Sequence, residues 1–464
     1  MDNSKVLVYI SAFICALIMI MIPEYQVQVS FAFWIVLMIY CFRDTEKRLL
    51  LMLFTITVFV FGMSRIVIPA FYANSYIAFS QAFSMDFGPD VHNFIARSCF
   101  IALICAFIGF NSVKHVERKD YVFQIDSNSL QIIKIRNISK SLYLLSTTLV
   151  VYSIYSRFSF VATYGYMDSF IEYSSNLPSI LQKFASINAL CLYLFLATLP
   201  TKKQAKPILI VFAIISILTL LTGVRTNFVM NFFTLLIYLV LRNRTAPNDP
   251  WLTKKGKLYL FVALPFLVAL MFVVMLLRGG NTTAEISLFD MIINSIYQQG
   301  SIIEVLGTSY EQAEQIPYRL WSFGRLIDSY GNNFIFQLLG IGHAYKSNTV
   351  EMAVNGHSLA NYLTYTYQSR RFLAGGGMGS SYIAESWLDF GYLGIVGFSY
   401  IYGVILAKFI TWAKRNVWVF ALSFYMVNAI IYAPRAGAGD FISDILSPTY
   451  LLTLFIIYQC SKRR

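Results

Sequence analysis

The sequence predicts an all-α polytopic membrane protein of about twelve transmembrane helices, with one large extracytoplasmic loop between spans nine and ten. Three observations carry that prediction. The chain is 57% hydrophobic with a mean hydropathy of +0.62, and only 13% of its residues are charged, about half the share usual in globular proteins. Apolar runs of ~20 residues recur along the whole length, the reach needed to cross a hydrocarbon core. The runs also lack the polar–apolar alternation of a membrane barrel, so their backbone groups must be satisfied within helices. The first run has neither a basic leader region nor a small-residue cleavage site, and it reads as the first span.

Taken in order, the spans are expected at 6–22, 27–42, 49–64, 93–112, 141–162, 182–200, 206–222, 226–241, 258–277, 386–408, 417–433 and 443–460. This divides the chain into nine bundled spans (1–277), the extracytoplasmic loop (278–385) and three further spans (386–464). With both termini cytoplasmic, the clusters Arg43/Lys47/Arg48, Lys114/Arg118/Lys119, Lys202/Lys203/Lys206, Lys254/Lys255/Lys257, Lys414/Arg415 and Lys462/Arg463/Arg464 all fall inside. That is the pattern the positive-inside rule requires. The rule also accounts for most of the net charge of +13, which in a soluble protein would suggest nucleic acid. No nucleic-acid partner is expected. The six cysteines (Cys15, Cys41, Cys99, Cys105, Cys191 and Cys460) lie in or at the ends of apolar runs and form no CxxC pair. Packing is their expected role, rather than disulfides or zinc binding.

One asymmetry outlasts the topology rule. The cytoplasmic side would hold fifteen lysines and nine arginines, the outer side two lysines and ten arginines. Topology does not separate the two cations, whereas bidentate recognition of phosphate or carboxylate oxygens favours arginine. Arg225 falls between spans seven and eight, Arg278 at the end of span nine and Arg435 at the end of span eleven. Cations at such mouths are costly unless paired or hydrated, which points to function. The competing reading has them snorkel to the interface or pair with Glu285, Glu385 or Asp440.

The outer loop has its own pattern. Ile286, Phe289, Ile293 and Ile296 recur at helical spacing among polar residues, which predicts an amphipathic helix on the bilayer surface, ended or kinked at Gly300. A second apolar piece at 331–342 is too short to span. Tyrosines and Trp321 are dense from Tyr297 to Tyr382, as in an interfacial belt, and some have faces suited to stacking on sugar rings.

The richest stretch is 355–385, NGHSLANYLTYTYQSRRFLAGGGMGSSYIAE. Imidazole is the side chain whose ordinary titration range suits taking a proton from a hydroxyl near neutrality, and His357 sits here among Asn355, Ser358 and Asn361. Arg370 and Arg371 follow. Gly375, Gly376, Gly377 and Gly379 then form a glycine-rich turn with two open readings, an anion-binding nest of amides or a sharp turn into span ten. Glu385 opens that span, where the helix dipole favours a carboxylate, and stands as a second acid/base candidate. The other histidines (His92, His115, His343) form no HxxxH pattern, and no metal site is expected.

Together, LTGVRTNFVMNFF (221–233), the arginine after the next span, the outer His357 and GGGMGSSYIAESWLDFGYLGI (375–395) resemble the Wzy-type O-antigen polysaccharide polymerases, best over roughly 200–400. The resemblance implies an inner-membrane glycosyltransferase of the lipid-carrier type, with a GT-C-like helical bundle and an outward-facing site. Such an enzyme moves a growing glycan from undecaprenyl diphosphate to the terminal sugar of a lipid-linked repeat unit, without nucleotide sugar, metal or other cofactor. The implied partners are the undecaprenyl-diphosphate-linked oligosaccharide, the lipid bilayer and a chain-length-regulating co-polymerase. The family's outer arginines carry over to Arg225, Arg278, Arg370, Arg371 and Arg435 as diphosphate-binding residues. Some members place a glycine eleven residues after such an arginine, and here those positions are Leu236 and Phe289.

The residues lead to the same chemistry on their own. A diphosphate leaving group needs cations at the outer interface, and inverting attack by a sugar hydroxyl needs a proton acceptor. His357 is the first candidate and Glu385 the second. Arginine stabilisation of the departing charge can supply more of the rate than the base does. A lipid-linked glycan flippase or exporter would instead show internal repeats and charges deep in several helices, whereas the sequence shows no repeat and its spans are poor in mid-membrane charge. An O-antigen ligase would share the histidine and arginines and differ in its acceptor.

Overall fold

The computed structural model describes residues 3–72, 77, 87–113, 125–165, 173, 175, 177–222, 225–245, 250–253, 287–331, 337–340, 342, 345–346 and 348–462, with isolated positions between 255 and 268. Among these residues every regular element is helical, as expected of the polytopic class. The chain begins with α1 (Asn3–Met21), α2 (Pro23–Arg43), α3 (Thr45–Phe71), α4 (Pro89–Ser112), α5 (Leu130–Tyr164), α6 (Ser179–Ala197) and α7 (Lys202–Leu220). After α8 (Arg225–Thr245) come six short helices: α9 (Leu288–Gln299), α10 (Ile303–Glu311), α11 (Gly324–Gly331), α12 (Val350–Asn355), α13 (Leu359–Tyr367) and α14 (Ser369–Leu373). The chain ends with α15 (Tyr382–Ala413), α16 (Val417–Arg435) and α17 (Asp440–Lys462).

Ten of the described helices, α1–α7 and α15–α17, are long and apolar enough to cross a membrane. The sequence suggested twelve. The eighth expected span is present as the 21-residue α8, whose apolar character is diluted by Asn227, Asn231, Arg242 and Arg244. The ninth, 258–277, lies largely outside the described residues, as do half of the apolar piece at 331–342 and Arg278.

The chain folds as two compact units. The first comprises Met1–Lys114, Glu285–Ala407 and Ala429–Asp440. In it, Ser30 of α2 donates to the Ala96 carbonyl of α4 (2.7 Å), and Phe33 meets Phe100 edge-on with centroids 4.9 Å apart. α4 and α15 cross through facing glycines. A Cβ on Gly109 would stand 2.1 Å from the Tyr400 oxygen, and one on Gly403 2.1 Å from the Ala106 oxygen. Small residues are what let two membrane helices approach backbone to backbone.

The amphipathic helix expected near 286–298 is α9, and it does stop at Gly300. A Cβ there would stand 2.4 Å from Ser64 Oγ of α3, just after the π-helical turn Val58–Met63. The face α9 buries is set by this contact. Asn294, Ser295, Tyr297 and Gln299 are buried, Ile293 and Ile296 pack at the margin of an Ile68–Ile77–Tyr297 cluster, and Phe289 is exposed.

The helix α15 is broken at Gly391 (φ 62°, ψ −152°), so its first turns stand apart from the rest of the span. Asp389, just before the break, accepts from the Trp321 and Ser322 amides at 3.0 and 2.7 Å and so seats the lead-in to α11.

The second unit comprises His115–Ala284, Lys408–Asn428 and Phe441–Arg464. Its helices are tied by buried polar contacts. Asn188 donates to Ser146 and Thr147 of α5 (both 2.9 Å), and Thr234 of α8 donates to Asn428 (2.8 Å). Arg136 is buried and satisfied by the hydroxyl and carbonyl of Thr198 at 3.1 and 2.8 Å.

Candidate active site

The first unit contains a cavity of about 480 Å³ lined by α11, the α12–α13 turn, the start of α15 and the turn at 435–440. One wall is built around His357. The helix α12 closes with the Gly356 amide on the Met352 carbonyl (3.0 Å), and Ser358 then caps α13 by accepting from the Asn361 amide. His357 is left between two helices with its backbone held on both sides. Arg319 donates to the carbonyls of Val354 and Gly356, and the His357 amide donates to both oxygens of Asp328 on α11, each at 3.0 Å. A Cβ on Gly324 would stand 1.8 Å from the His357 carbonyl oxygen, so only glycine lets α11 come this close.

The ring of His357 repeats the contact. Its Nδ1 lies 3.1 Å from Asp328 Oδ1, and the two side chains are 35% and 16% exposed. A carboxylate at this distance suits the tautomer with the proton on Nδ1, since an ionised carboxylate only accepts hydrogen bonds. Nε2 has no partner among the described residues.

The opposite wall carries carboxylates and a second turn. Glu385, buried in the first turn of α15, accepts from Ser380 Oγ (2.6 Å) and from the Ala438 amide (2.8 Å). It meets no cation among the described residues. Tyr402, further along α15, donates to the Ala438 carbonyl (2.6 Å), so one helix grips both sides of the same peptide turn. Asp440 closes that turn on the Gly437 amide (3.1 Å) and pairs with Arg325 of α11 (3.2 Å).

Arg435 ends α16 in a one-turn 3-10 helix and also lines the cavity. Its Nη1 donates to the backbone and side-chain oxygens of Gln299, both at 3.3 Å, and its guanidinium lies 5.6 Å from the Phe61 ring centre. Among the described residues only Nη1 makes hydrogen bonds.

The structure thus gathers His357, Glu385 and Arg435 at one cavity. Arg370 and Arg371 are exposed on α14 and do not line it. Arg371 braces the glycine turn instead, through Gln368 (2.8 Å) and the Gly377 carbonyl (3.3 Å). The amides of Gly375 and Gly376 donate to the Phe372 and Arg371 carbonyls (2.9 and 2.8 Å), and Gly375 and Gly379 adopt φ of 80° and 88°. These two amides close α14 and so cannot also form an open nest. Arg225 is the first residue of α8, in the second unit, and Arg278 lies outside the described residues.

Sequence reasoning missed Asp328 as the partner of His357. The available signal was RLID, where Arg325 and Asp328 stand three apart on one helical face. Among the described residues no three His, Cys, Asp or Glu side chains group as metal ligands would.

Chemically, the cavity brings together an imidazole hydrogen-bonded to a carboxylate, two arginines and a buried carboxylate bonded to a serine hydroxyl. No curated protein and no solved structure shows a significant match to the chain. A family model does match, over residues 4–463, nearly the whole length. The chain belongs to the O-antigen polysaccharide polymerase Wzy family.

Proposed function

We propose that the cavity at His357 is where this polymerase joins lipid-linked repeat units. The donor is a growing glycan on undecaprenyl diphosphate, and the acceptor is the terminal sugar of an incoming lipid-linked unit. His357 Nε2 takes the proton from the acceptor hydroxyl, and the oxygen attacks the anomeric carbon from the face opposite the diphosphate. The bond from that carbon to the diphosphate oxygen breaks, the diphosphate departs with the electron pair, and the configuration inverts. Arg435, with Arg325 lining the same cavity, stabilises the departing charge. Glu385 and Ser380 hold the turn that carries Arg435 and present hydrogen-bonding groups to sugar hydroxyls.

The observation that supports this reading is the juxtaposition of an oriented imidazole and an arginine fork in one cavity of sugar-sized volume. The distribution of lysines supports an orientation with the 287–385 segment on the outer side of the bacterial inner membrane and both termini inside. Cysteines introduced at the exposed Lys346 and Lys255 test it. An impermeant thiol reagent should label the first in intact spheroplasts and spare the second, and the reverse pattern would overturn the orientation. The function itself is tested by deleting the gene and resolving surface polysaccharide on a gel. Single capped repeat units are expected. Complete absence of O-antigen would point to export or ligation instead.

A further inference from the structure

Asp328 spends both carboxylate oxygens on one residue, accepting the His357 amide with each and the His357 ring with Oδ1. A carboxylate that only capped the turn would be satisfied by the amide. We infer that Asp328 is a positioning residue for the reaction. It fixes the imidazole of His357 in the Nδ1–H tautomer and presents Nε2 to the cavity. This deepens the proposed function and rests on His357 being the base there.

Three further features support it. The Val354 and Gly356 carbonyls are fixed by Arg319, so the turn cannot swing away from Asp328. Gly324 brings the α11 backbone against the His357 carbonyl, and Asp328 lies one helical turn further along the same helix. The anchor of α11 is equally rigid, since Asp389 of α15 holds the two amides that precede it. The imidazole therefore sits on a frame that is built before any substrate arrives, which is how an oriented acid or base avoids reorganisation during reaction.

The contrast between carboxylate and amide tests the assignment. Asp328→Asn keeps the size and one oxygen acceptor for the backbone amide, but its NH2 group can donate to Nδ1. That would stabilise the opposite tautomer and place the proton on Nε2, where the acceptor hydroxyl must be deprotonated. The chain has four histidines, so 15N-histidine spectra of the full-length protein in lipid bilayers can be assigned by difference against His357→Gln.

On the alkaline side of neutrality, wild type should show His357 protonated at Nδ1, and Asp328→Asn should show it protonated at Nε2. In a reconstituted assay with lipid-linked repeat units, Asp328→Asn should lose ~10²–10⁴-fold in kcat with little change in KM. Asp328→Glu, which restores the carboxylate, should recover part of that loss. An unchanged 15N pattern in Asp328→Asn would overturn the inference whatever the activity. A shifted tautomer in Asp328→Asn would uphold the positioning contact even if His357→Gln polymerised normally, and in that case the base role in the proposed function would fall instead.

Discussion

Two stretches of the segment before α15, barely a dozen residues apart, look equally suited to chemistry in sequence and fare differently in the fold. Around His357, two helices and a third from earlier in the chain converge so that the imidazole lines a cavity. Around Arg370, a five-residue helix and a glycine turn keep the charges at the exposed surface. The difference lies in what the backbone does. At 354–357 the Val354 and Gly356 carbonyls and the His357 amide are met by side chains from elsewhere, Arg319 and Asp328. At 371–377 the backbone groups and Arg371 satisfy one another locally. A site needs groups committed from a distance, because they fix geometry against the rest of the fold, whereas a locally satisfied turn mainly redirects the chain.

The largest effect should fall on His357. His357→Ala removes the proton acceptor and should lower the rate of polymerisation by ~10²–10⁴-fold, leaving capped single units on the gel while protein abundance holds. His357→Gln retains hydrogen bonding without useful basicity. Normal polymer in the Gln variant would restrict the histidine to holding the acceptor, and Glu385 would become the next candidate for the base. Normal polymer in the Ala variant would erase the contrast between the two stretches.

Arg435→Lys comes next. The charge stays, but the planar fork that engages Gln299 through Nη1 at the edge of the cavity is lost. A hydrogen bond between charged groups contributes about 2 kcal/mol, so the rate should drop roughly thirtyfold. Full activity of the lysine variant would leave Arg435 as an anchor for the turn at 433–435 and weaken the case for diphosphate binding there.

How much of this was legible in the sequence follows from the range of the interactions. The membrane class and the helix at Leu288–Gln299 with its stop at Gly300 rest on local composition and period, and one chain suffices to read them. His357, Glu385 and Arg435 are also legible as polar residues in or beside the long polar stretch and at span ends. Their gathering was not, because Asp328 is 29 residues from His357, and Ala438 is 53 from Glu385. The Asp328 partnership depends on Gly324 allowing a contact that no periodicity announces. The glycine run shows the converse. Its flexibility was plain, but whether its amides were free depended on α14 ending there and accepting two of them.

A smaller effect, on stability, is expected at Gly379. Its φ of 88° is costly for any residue with a Cβ, although the space around it is open, with Ile302 Cδ1 at 3.6 Å. Gly379→Ala should therefore cost on the order of 1 kcal/mol, read as a modest fall in Tm in detergent, with polymer length close to wild type. Loss of polymer at unchanged Tm would show the glycine turn acting on substrate and bring it level with the His357 stretch.

The smallest effect should be at Arg370. It is exposed in the last turn of α14, where a cation gains only a few tenths of a kcal/mol from the helix dipole and solvent ions screen the rest. Arg370→Ala should change stability by less than about 0.5 kcal/mol and leave polymer length unchanged. Arg371→Ala is the matched control, since it breaks contacts to Gln368 and Gly377 and should loosen the turn measurably. If Arg370→Ala instead cut polymerisation more than about tenfold at constant abundance, a substrate anion would have to reach beyond the cavity to α14. The diphosphate clamp would then include the surface arginines, and the boundary between the two stretches would move from the backbone to the lipid carrier.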